Sequence, residues 1–245
     1  MKLTVLGCLT PLPRRDAPCS GYLISNERTT VLLDCGFGVF PALADRIDPR
    51  KLSAVWISHM HPDHCADLIA LANWALNTDD APKIRVLGPP GWDTRLNGFI
   101  SEDSSRDLVR EVFHVEHLAD GSVSSVGEFK LTSRFVHHSV PTYGVRITDK
   151  DSVFAYSGDS GPCQALEQLA SEADVFLCEA GSREPVEHHM TAQQTYELAT
   201  SARVGRLLVT HTPDPARSDE VVKDGGRFVE FVSPRDEWVV GPRGA

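Results

Sequence analysis

Short apolar runs recur along the chain and alternate with segments of helical periodicity. Nine of these runs contain three or four residues, are rich in β-branched and aromatic side chains, and are flanked by glycine, proline or aspartate, which is typical of strands. They lie at 3–6, 30–33, 54–57, 85–87, 129–131, 144–147, 153–156, 175–177 and 207–209. Two later runs, 227–232 and 237–240, are predicted to be strands that close the sheet.

Helical patterns separate several of these strands. The clearest covers 62–77, where apolar residues recur with the i, i+3, i+4 spacing of one helix face. Another covers 191–201, where Thr191 and Gln194 have the spacing of a capping box. Weaker patterns predict two further helices, at 164–170 and 218–223. Strands that alternate with helices along the whole chain predict a layered α/β architecture.

Five of the predicted strands are followed within three residues by an acidic residue or a histidine. These residues are Asp34, His59, Asp159, Glu179 and His211. Ligand sites of α/β sheets collect at the carboxyl ends of strands, so we expect these side chains to converge on one edge.

Three of the ten histidines fall within six residues, in the string His59-Met-His61-Pro-Asp63-His64. An extended segment directs His59 and His61 to the same side, and Asp63 and His64 lie in the helical turn that follows Pro62. A borderline cation such as Zn²⁺ prefers this combination of imidazole and carboxylate, and the string has enough ligands to contribute to two ions.

Composition narrows the functional classes. The chain has 245 residues, with 24 Lys and Arg against 34 Asp and Glu, so its formal net charge is −10. This balance argues against a dedicated nucleic-acid binder but permits a small anionic substrate held by metal ions. Six scattered cysteines, no secretory pattern and no long apolar run predict a cytoplasmic protein with reduced thiols and no membrane partner. With no linker in the sequence, we expect one domain over 1–245.

The HxHxDH string resembles the metal-binding signature of the metallo-β-lactamase superfamily. The segment 33–36 (Leu-Asp-Cys-Gly) is similar to the first motif of that superfamily. His138, Asp159 and His211 resemble its third, fourth and fifth motifs, in the right order. The resemblance extends from residue 3 to residue 211 and implies a four-layer αββα sandwich.

The resemblance also implies a site for two divalent metal ions, taken to be Zn²⁺, with Mn²⁺ or Fe²⁺ as alternatives. It implies that one ion is held by His59, His61 and His138. The second would be held by Asp63, His64 and His211, with Asp159 bridging the two. His137 competes with His138 for its role, and the spacing to the following Pro and Gly favours His138. No function is assigned to His114, His117 or His188.

For catalysis, the resemblance implies a water shared by the two metals and acidified to hydroxide near neutral pH. Asp63 is a candidate to take the proton from that water. The segment His189-Met-Thr191 resembles a motif of the ribonuclease Z branch, in which such a histidine would donate a hydrogen bond to a phosphoryl oxygen or protonate the departing alkoxide, oriented here by Glu179. The simpler alternative is a histidine that only flanks the helix. Supporting roles for Asp34, Ser58 and Thr210 are a further hypothesis, beside the simpler one that they satisfy backbone groups.

The distance between two motifs separates the branches of the superfamily. Ribonuclease Z carries an extended arm between its third and fourth motifs, but only positions 139–158 separate His138 from Asp159 here. The compact pattern looks more like bacterial cyclic-nucleotide phosphodiesterases, so we expect a small phosphodiester substrate, with a 3′,5′-cyclic nucleotide as first candidate, and not long RNA. A ribonuclease Z-like tRNA 3′-processing endonuclease, a lactonase or thioesterase, and a catalytically silent metal-binding module are the alternatives. A homodimer is expected by resemblance alone, and 79–127 is where the superfamily varies its substrate and dimer contacts.

Overall fold

The computed structural model describes residues 1–101, 105–213 and 229–241. The helix predicted at 218–223 and the start of the strand predicted at 227–232 lie outside these residues. No helix within the described ranges has the length and apolarity needed to cross a membrane.

Within the described residues, fourteen strands form two seven-stranded sheets. The first sheet has the order β14-β1-β2-β3-β4-β5-β6, antiparallel from β14 to β3 and parallel from β3 to β6. Its strands are β1 (Lys2–Gly7), β2 (Gly21–Ser25), β3 (Thr30–Leu33), β4 (Ala54–Trp56), β5 (Ile84–Gly88), β6 (Phe113–His117) and β14 (Glu237–Val239).

The second sheet has the order β13-β12-β11-β10-β9-β8-β7. It is antiparallel from β7 to β10 and parallel from β10 to β13. Its strands are β7 (Val123–Val126), β8 (Phe129–Val136), β9 (Thr142–Thr148), β10 (Val153–Tyr156), β11 (Val175–Glu179), β12 (Arg206–Thr210) and β13 (Val229–Phe231).

Helices cover the outer faces of both sheets, and the two inner faces pack on each other. Strand β3 illustrates the reason: Val31 and Leu33 belong to the core between the sheets, whereas Leu32 belongs to the core under the helices. Because successive side chains point to opposite faces, a strand buried on both sides has a continuous apolar run. The helices are α1 (Val39–Ala44), α2 (Pro62–Cys65), α3 (Leu68–Leu76), α4 (Trp92–Ile100), α5 (Leu108–Val112), α6 (Gln164–Ala170) and α7 (Ala192–Ser201).

Side-chain clusters place α1, α3, α4 and α5 on the first sheet and α6 and α7 on the second. The result is the four-layer αββα sandwich that the resemblance implied. The capping box predicted for α7 is present, since Thr191 Oγ1 accepts from Gln194 N and Gln194 Oε1 accepts from Thr191 N.

The helix predicted over 62–77 is two helices, α2 and α3. In a continuous helix the carbonyls of Asp63 and His64 would accept from residues four positions later. Here Ser20 N donates to Asp63 O (3.1 Å) and Cys35 N donates to His64 O (2.7 Å). These contacts with two other loops break the helix and fix the backbone of both residues.

Periodicity also missed several elements, among them the strand β7. The strand β2 and the short helix α1 had not been predicted, and the Gly- and Pro-rich segment before Trp92 leads into helix α4. Trp92 is fully buried, as expected of a large aromatic, but Phe99 is 75% exposed on the same helix.

Candidate metal centre

All seven predicted metal ligands lie at the carboxyl ends of strands, at the N-cap of α2 (His61) or in α2. His59 follows β4, and Asp63 and His64 lie in α2, so the first sheet carries the HxHxDH string. The second sheet supplies His138 after β8, Asp159 after β10 and His211 after β12. The strand-end residues of the two sheets therefore meet at one edge of the sandwich, as the sequence predicted.

The first cluster consists of His59, His61 and His138. His61 Nδ1 lies 3.0 Å from His59 Nε2 and 3.2 Å from His138 Nε2. Asp159 Oδ2 is 3.7 Å from His59 Nε2 and 4.0 Å from His138 Nε2. One ligand atom from each of these four residues lies within 4.8 Å of the others.

The second cluster consists of Asp63, His64 and His211. His64 Nε2 lies 3.8 Å from Asp63 Oδ2 and 3.2 Å from Asp159 Oδ1. His211 Nε2 is 3.1 Å from Asp159 Oδ2. The Asp159 carboxylate thus faces both clusters, which is the position required of a bridging ligand.

The buried carboxylate of Asp34 contacts His64 of the second cluster. Asp34 Oδ2 lies 2.7 Å from His64 Nδ1 and accepts hydrogen bonds from Ser58 Oγ and Tyr156 OH, while Asp34 Oδ1 accepts from Ser58 N. Ser58 Oγ also lies 3.0 Å from His59 Nδ1. Asp34 therefore fixes the His64 ring with Nε2 directed into the cluster.

The pKa values of the histidines are shifted in opposite directions in the two clusters. Burial lowers the pKa of His59 well below its ordinary value, lowers that of His61, and lowers that of His138 to about 4. Burial also disfavours charge on His64, but the carboxylates of Asp159 and Asp34 outweigh it and raise the His64 pKa well above its ordinary value. Burial likewise opposes the charge of Asp159, yet His211 and His64 hold the pKa of that carboxyl well below its usual range.

The donor set fits a pair of divalent cations. His64 Nε2 and Asp159 Oδ1 are buried and have no hydrogen-bond partner among the described residues, although burying a polar atom without a partner is costly. The two atoms lie 3.2 Å apart. Imidazole nitrogens and carboxylate oxygens suit Zn²⁺, Mn²⁺ or Fe²⁺, so cations at these positions would satisfy both atoms.

The predicted pair of His189 and Glu179 lies beside the second cluster. His189 Nδ1 is 2.9 Å from Glu179 Oε1, and Glu179 also accepts from Ser160 N (3.0 Å) and Gly181 N (2.6 Å). The hydrogen bond to Glu179 raises the pKa of His189. A Cβ atom at Gly181 would lie 2.8 Å from His189 Nδ1, so the pair depends on a glycine at that position.

His189 completes a group of ligand atoms with Asp159 and His211 that lie within 4.8 Å of one another. Its side chain is about one-third exposed, in contrast to the buried Glu179. The pair therefore lies between the two clusters and solvent.

The supporting residues match the sequence hypothesis in part. Asp34 and Ser58 contact cluster histidines, but Thr210 Oγ1 lies 2.6 Å from Tyr22 OH instead. His138 lies in the first cluster, with its Nδ1 3.0 Å from His188 O. Its competitor His137 is half-exposed and near Glu187.

Two contacts were missed by the sequence reasoning. Thr10 Oγ1 donates to Asp63 Oδ2 (3.0 Å), and Ser20 Oγ lies 3.2 Å from His211 Nδ1. Both residues belong to the loop between β1 and β2, whose sequence shows no motif by which these contacts could be found.

Comparison with known proteins gives a family match and several relatives of this chain. Residues 29–212 match the family described as the beta-lactamase superfamily domain. The uncharacterized protein Rv1339 of Mycobacterium tuberculosis is 35% identical over 243 residues, which covers 96% of this chain and 88% of that protein. A ribonuclease Z of Mycolicibacterium gilvum is 29% identical over 253 residues, and the match covers 90% of this chain and 88% of that protein.

A solved structure shares the whole fold. The crystal structure of the metallo-beta-lactamase fold protein YhfI from Bacillus subtilis superposes with a TM-score of 0.84 at 24% identity. The superposition covers 97% of this chain and 99% of that one.

Proposed function

The chain belongs to the metallo-β-lactamase superfamily and is a hydrolase, and from that premise we propose that it hydrolyses small phosphodiesters, with 3′,5′-cyclic nucleotides as the first candidate. The observation that carries the proposal is the His189–Glu179 pair beside the ligand clusters. A phosphodiester needs its leaving alkoxide protonated, and this pair offers a proton next to the reacting centre.

The proposed metal ligands are the first cluster, the second cluster and the bridging Asp159. When bound, two divalent ions would supply an acidified water molecule and positive charge for the phosphoryl oxygens. Asp63, hydrogen-bonded by Thr10, would accept the proton of that water at its carboxylate. His211 is oriented by Ser20, and His64 by Asp34, so each ring presents Nε2 to the site.

His189 would act as general acid through Nε2. Its Nδ1 donates to Glu179. Because the pKa of His189 is raised, a larger fraction of molecules carries the second ring proton, on Nε2, near neutral pH. Loss of this proton to the departing alkoxide leaves a neutral ring that still donates to Glu179. The carboxylate stays fixed by the backbone of Ser160 and Gly181 during the transfer.

The short connection after the first cluster supports a small substrate. Strands β9 and β10 are joined by residues 149–152 alone, so no arm projects between His138 and Asp159. The net charge of −10 also disfavours a long polyanion, because phosphate contacts with basic side chains dominate such affinity.

The first experiment is turnover of 3′,5′-cyclic AMP by metal-loaded protein, with Asp63→Ala as control and a precursor tRNA in parallel. We expect cyclic AMP hydrolysis that is lost in Asp63→Ala. Accurate tRNA cleavage at a far higher rate than cyclic AMP turnover would replace the proposal with the ribonuclease Z-like function, which the similarity to ribonuclease Z supports.

A lactonase or thioesterase is the second candidate, since the same clusters would serve an acyl carbonyl. The thiolate that a thioesterase releases needs no proton, so that activity would depend little on His189. Turnover of acyl esters that is insensitive to His189→Gln, with no phosphodiester turnover, would favour this candidate.

We also propose that two copies of the chain form a homodimer in the cytoplasm, using Zn²⁺ as the metal. A groove between α3 and α4 supports the dimer, because exposed Phe37, Leu76 and Phe99 line it. Light scattering should then show a dimer that Phe99→Ser weakens, and a monomer at micromolar concentration would refute it.

A further inference from the structure

A third group of metal-ligating side chains lies outside the seven proposed ligands. His137, Glu187 and His188 form this rim cluster, and one ligand atom of each lies within 4.8 Å of the others. The cluster faces solvent, with His188 the most buried member at 35% side-chain exposure and Glu187 the most exposed at 74%.

The rim cluster leaves a gap suited to a cation. His137 Nε2 is 3.7 Å from Glu187 Oε1, and His188 Nε2 is 3.9 Å from Glu187 Oε2. Both distances exceed that of a hydrogen bond, so the carboxylate bonds neither imidazole. Ligand atoms around tetrahedral zinc lie roughly 3.3 Å apart, given bond lengths near 2.0–2.1 Å, and a small rotation of the exposed Glu187 side chain would close the difference.

The imidazole of His188 also has a nitrogen without a hydrogen bond within the described ranges. Its Nδ1 is buried and has no hydrogen-bond partner among the residues described, which makes it one of three such side-chain atoms in that part of the chain. The other two, in His64 and Asp159, belong to the proposed dinuclear centre. At the rim the unpartnered atom is Nδ1, on the same ring as the Nε2 atom that faces Glu187.

Backbone contacts fix the two loops that carry the rim cluster. Gly161 N donates to His137 O (2.8 Å), and a Cβ atom at Gly161 would lie 1.9 Å from Glu187 O, so the segment carrying Glu187 packs directly on Gly161. His138 Nδ1 lies 3.0 Å from His188 O. The cluster thus joins the loop after β8, which carries His138, to the loop before α7, which carries His189.

We propose that His137, Glu187 and His188 form a third divalent-metal site for a borderline cation such as Zn²⁺. Two imidazoles and one carboxylate are a common zinc donor set, and the exposed side leaves room for water ligands. An ion in this site ties the β8–β9 loop to the β11–α7 loop and so braces His138 and His189. The inference does not depend on which ester the enzyme hydrolyses.

The test counts ions per chain after equilibrium dialysis against Zn²⁺, by elemental analysis. Glu187→Gln and His188→Ala should each bind one ion fewer than the parent protein. Glu184→Gln, in the same loop, and His114→Ala, an exposed histidine on β6, are the matched controls and should bind the parental number. The expected difference of one ion holds whether or not the dinuclear centre is filled.

A second readout follows the loop itself. Arg183 lies in the β11–α7 loop, and trypsin cleavage after it should slow on adding Zn²⁺ to the parent but not to Glu187→Gln. Equal ion numbers in the parent and both rim variants would overturn the proposal. An equal loss in Glu184→Gln and His114→Ala would overturn it too, since the extra ion would then be bound nonspecifically.

Discussion

The two ligand clusters face the same carboxylate, yet they differ in charge before any ion arrives. The first cluster consists of three histidines whose pKa values are all lowered, with that of His138 at about 4. The second contains His64, whose pKa is raised because Asp159 and Asp34 outweigh its burial. At neutral pH the three histidines of the first cluster are neutral, whereas His64 in the second cluster must lose a proton before it binds an ion.

The difference teaches how one edge of a fold can distinguish two cations. A neutral imidazole binds an ion directly, so the first cluster should fill first. A protonated imidazole beside buried carboxylates binds an ion only if the ion displaces the proton. Four variants or measurements test this distinction, and they follow in order of expected effect.

Replacing Asp159, which faces both clusters, should have the largest effect and abolish the difference between them. Asp159→Ala removes the carboxylate that faces both clusters, and we expect kcat/KM to fall by about 10³-fold or more, with fewer ions bound. Activity assays and elemental analysis of the same preparation measure both effects. Retention of two ions with near-normal turnover would show that Asp159 bridges nothing.

His189→Gln should separate chemistry from metal binding. We expect kcat on cyclic AMP to fall by roughly 10²-fold to 10⁴-fold, because a general acid is lost, while both clusters keep their ions. A nitrophenyl phosphodiester, whose leaving group needs no proton, should lose much less. Equal losses on the two substrates would rule out the general-acid role.

Asp34→Asn should weaken the second cluster more than the first. The amide has an NH₂ group in place of one carboxylate oxygen, and this group cannot accept the hydrogen bonds that Ser58, Tyr156 and His64 make to a single oxygen of Asp34. His64 therefore loses its orientation. We expect the affinity for the second ion to fall by about 10-fold to 100-fold in competition with a chelator. Tyr156→Phe removes a donor to the same carboxylate without touching a histidine, and a matching loss in that variant would contradict the assignment to His64.

Proton release should distinguish the two binding steps. Below the raised pKa of His64, the second ion must displace one proton, so its affinity should rise by about tenfold per pH unit up to that pKa. The first ion should release almost none above pH 6.5, the ordinary histidine pKa, because burial keeps its ligands neutral. Calorimetry in two buffers of different ionisation enthalpy measures the number released, and equal release in both steps would remove the distinction.

The local part of this centre could be predicted from the sequence. His59, His61, Asp63 and His64 lie within six residues, so strand and helix geometry alone brings them together. The strand-end rule placed Asp159 and His211 at the same edge. Their division between two ions came from the superfamily resemblance and stays a prediction.

Contacts between distant loops could not be predicted. Thr10 and Asp63 are 53 positions apart, and Ser20 and His211 are 191 apart. Such pairs depend on loop conformations that no hydrophobic period encodes. For the same reason the break between α2 and α3 was missed, because the carbonyl acceptors are taken by donors from other loops.

The division of the ligands between the two sheets has a consequence for biosynthesis. The HxHxDH string is made early, but His138, Asp159 and His211 follow from the second half of the chain, and β14 must return to pair with β1. The complete set of ligands cannot assemble on the ribosome before residue 211 has emerged and the sheets have docked. Uptake of the full complement of metal would therefore report the last step of folding, and a chain arrested before docking would be left without it.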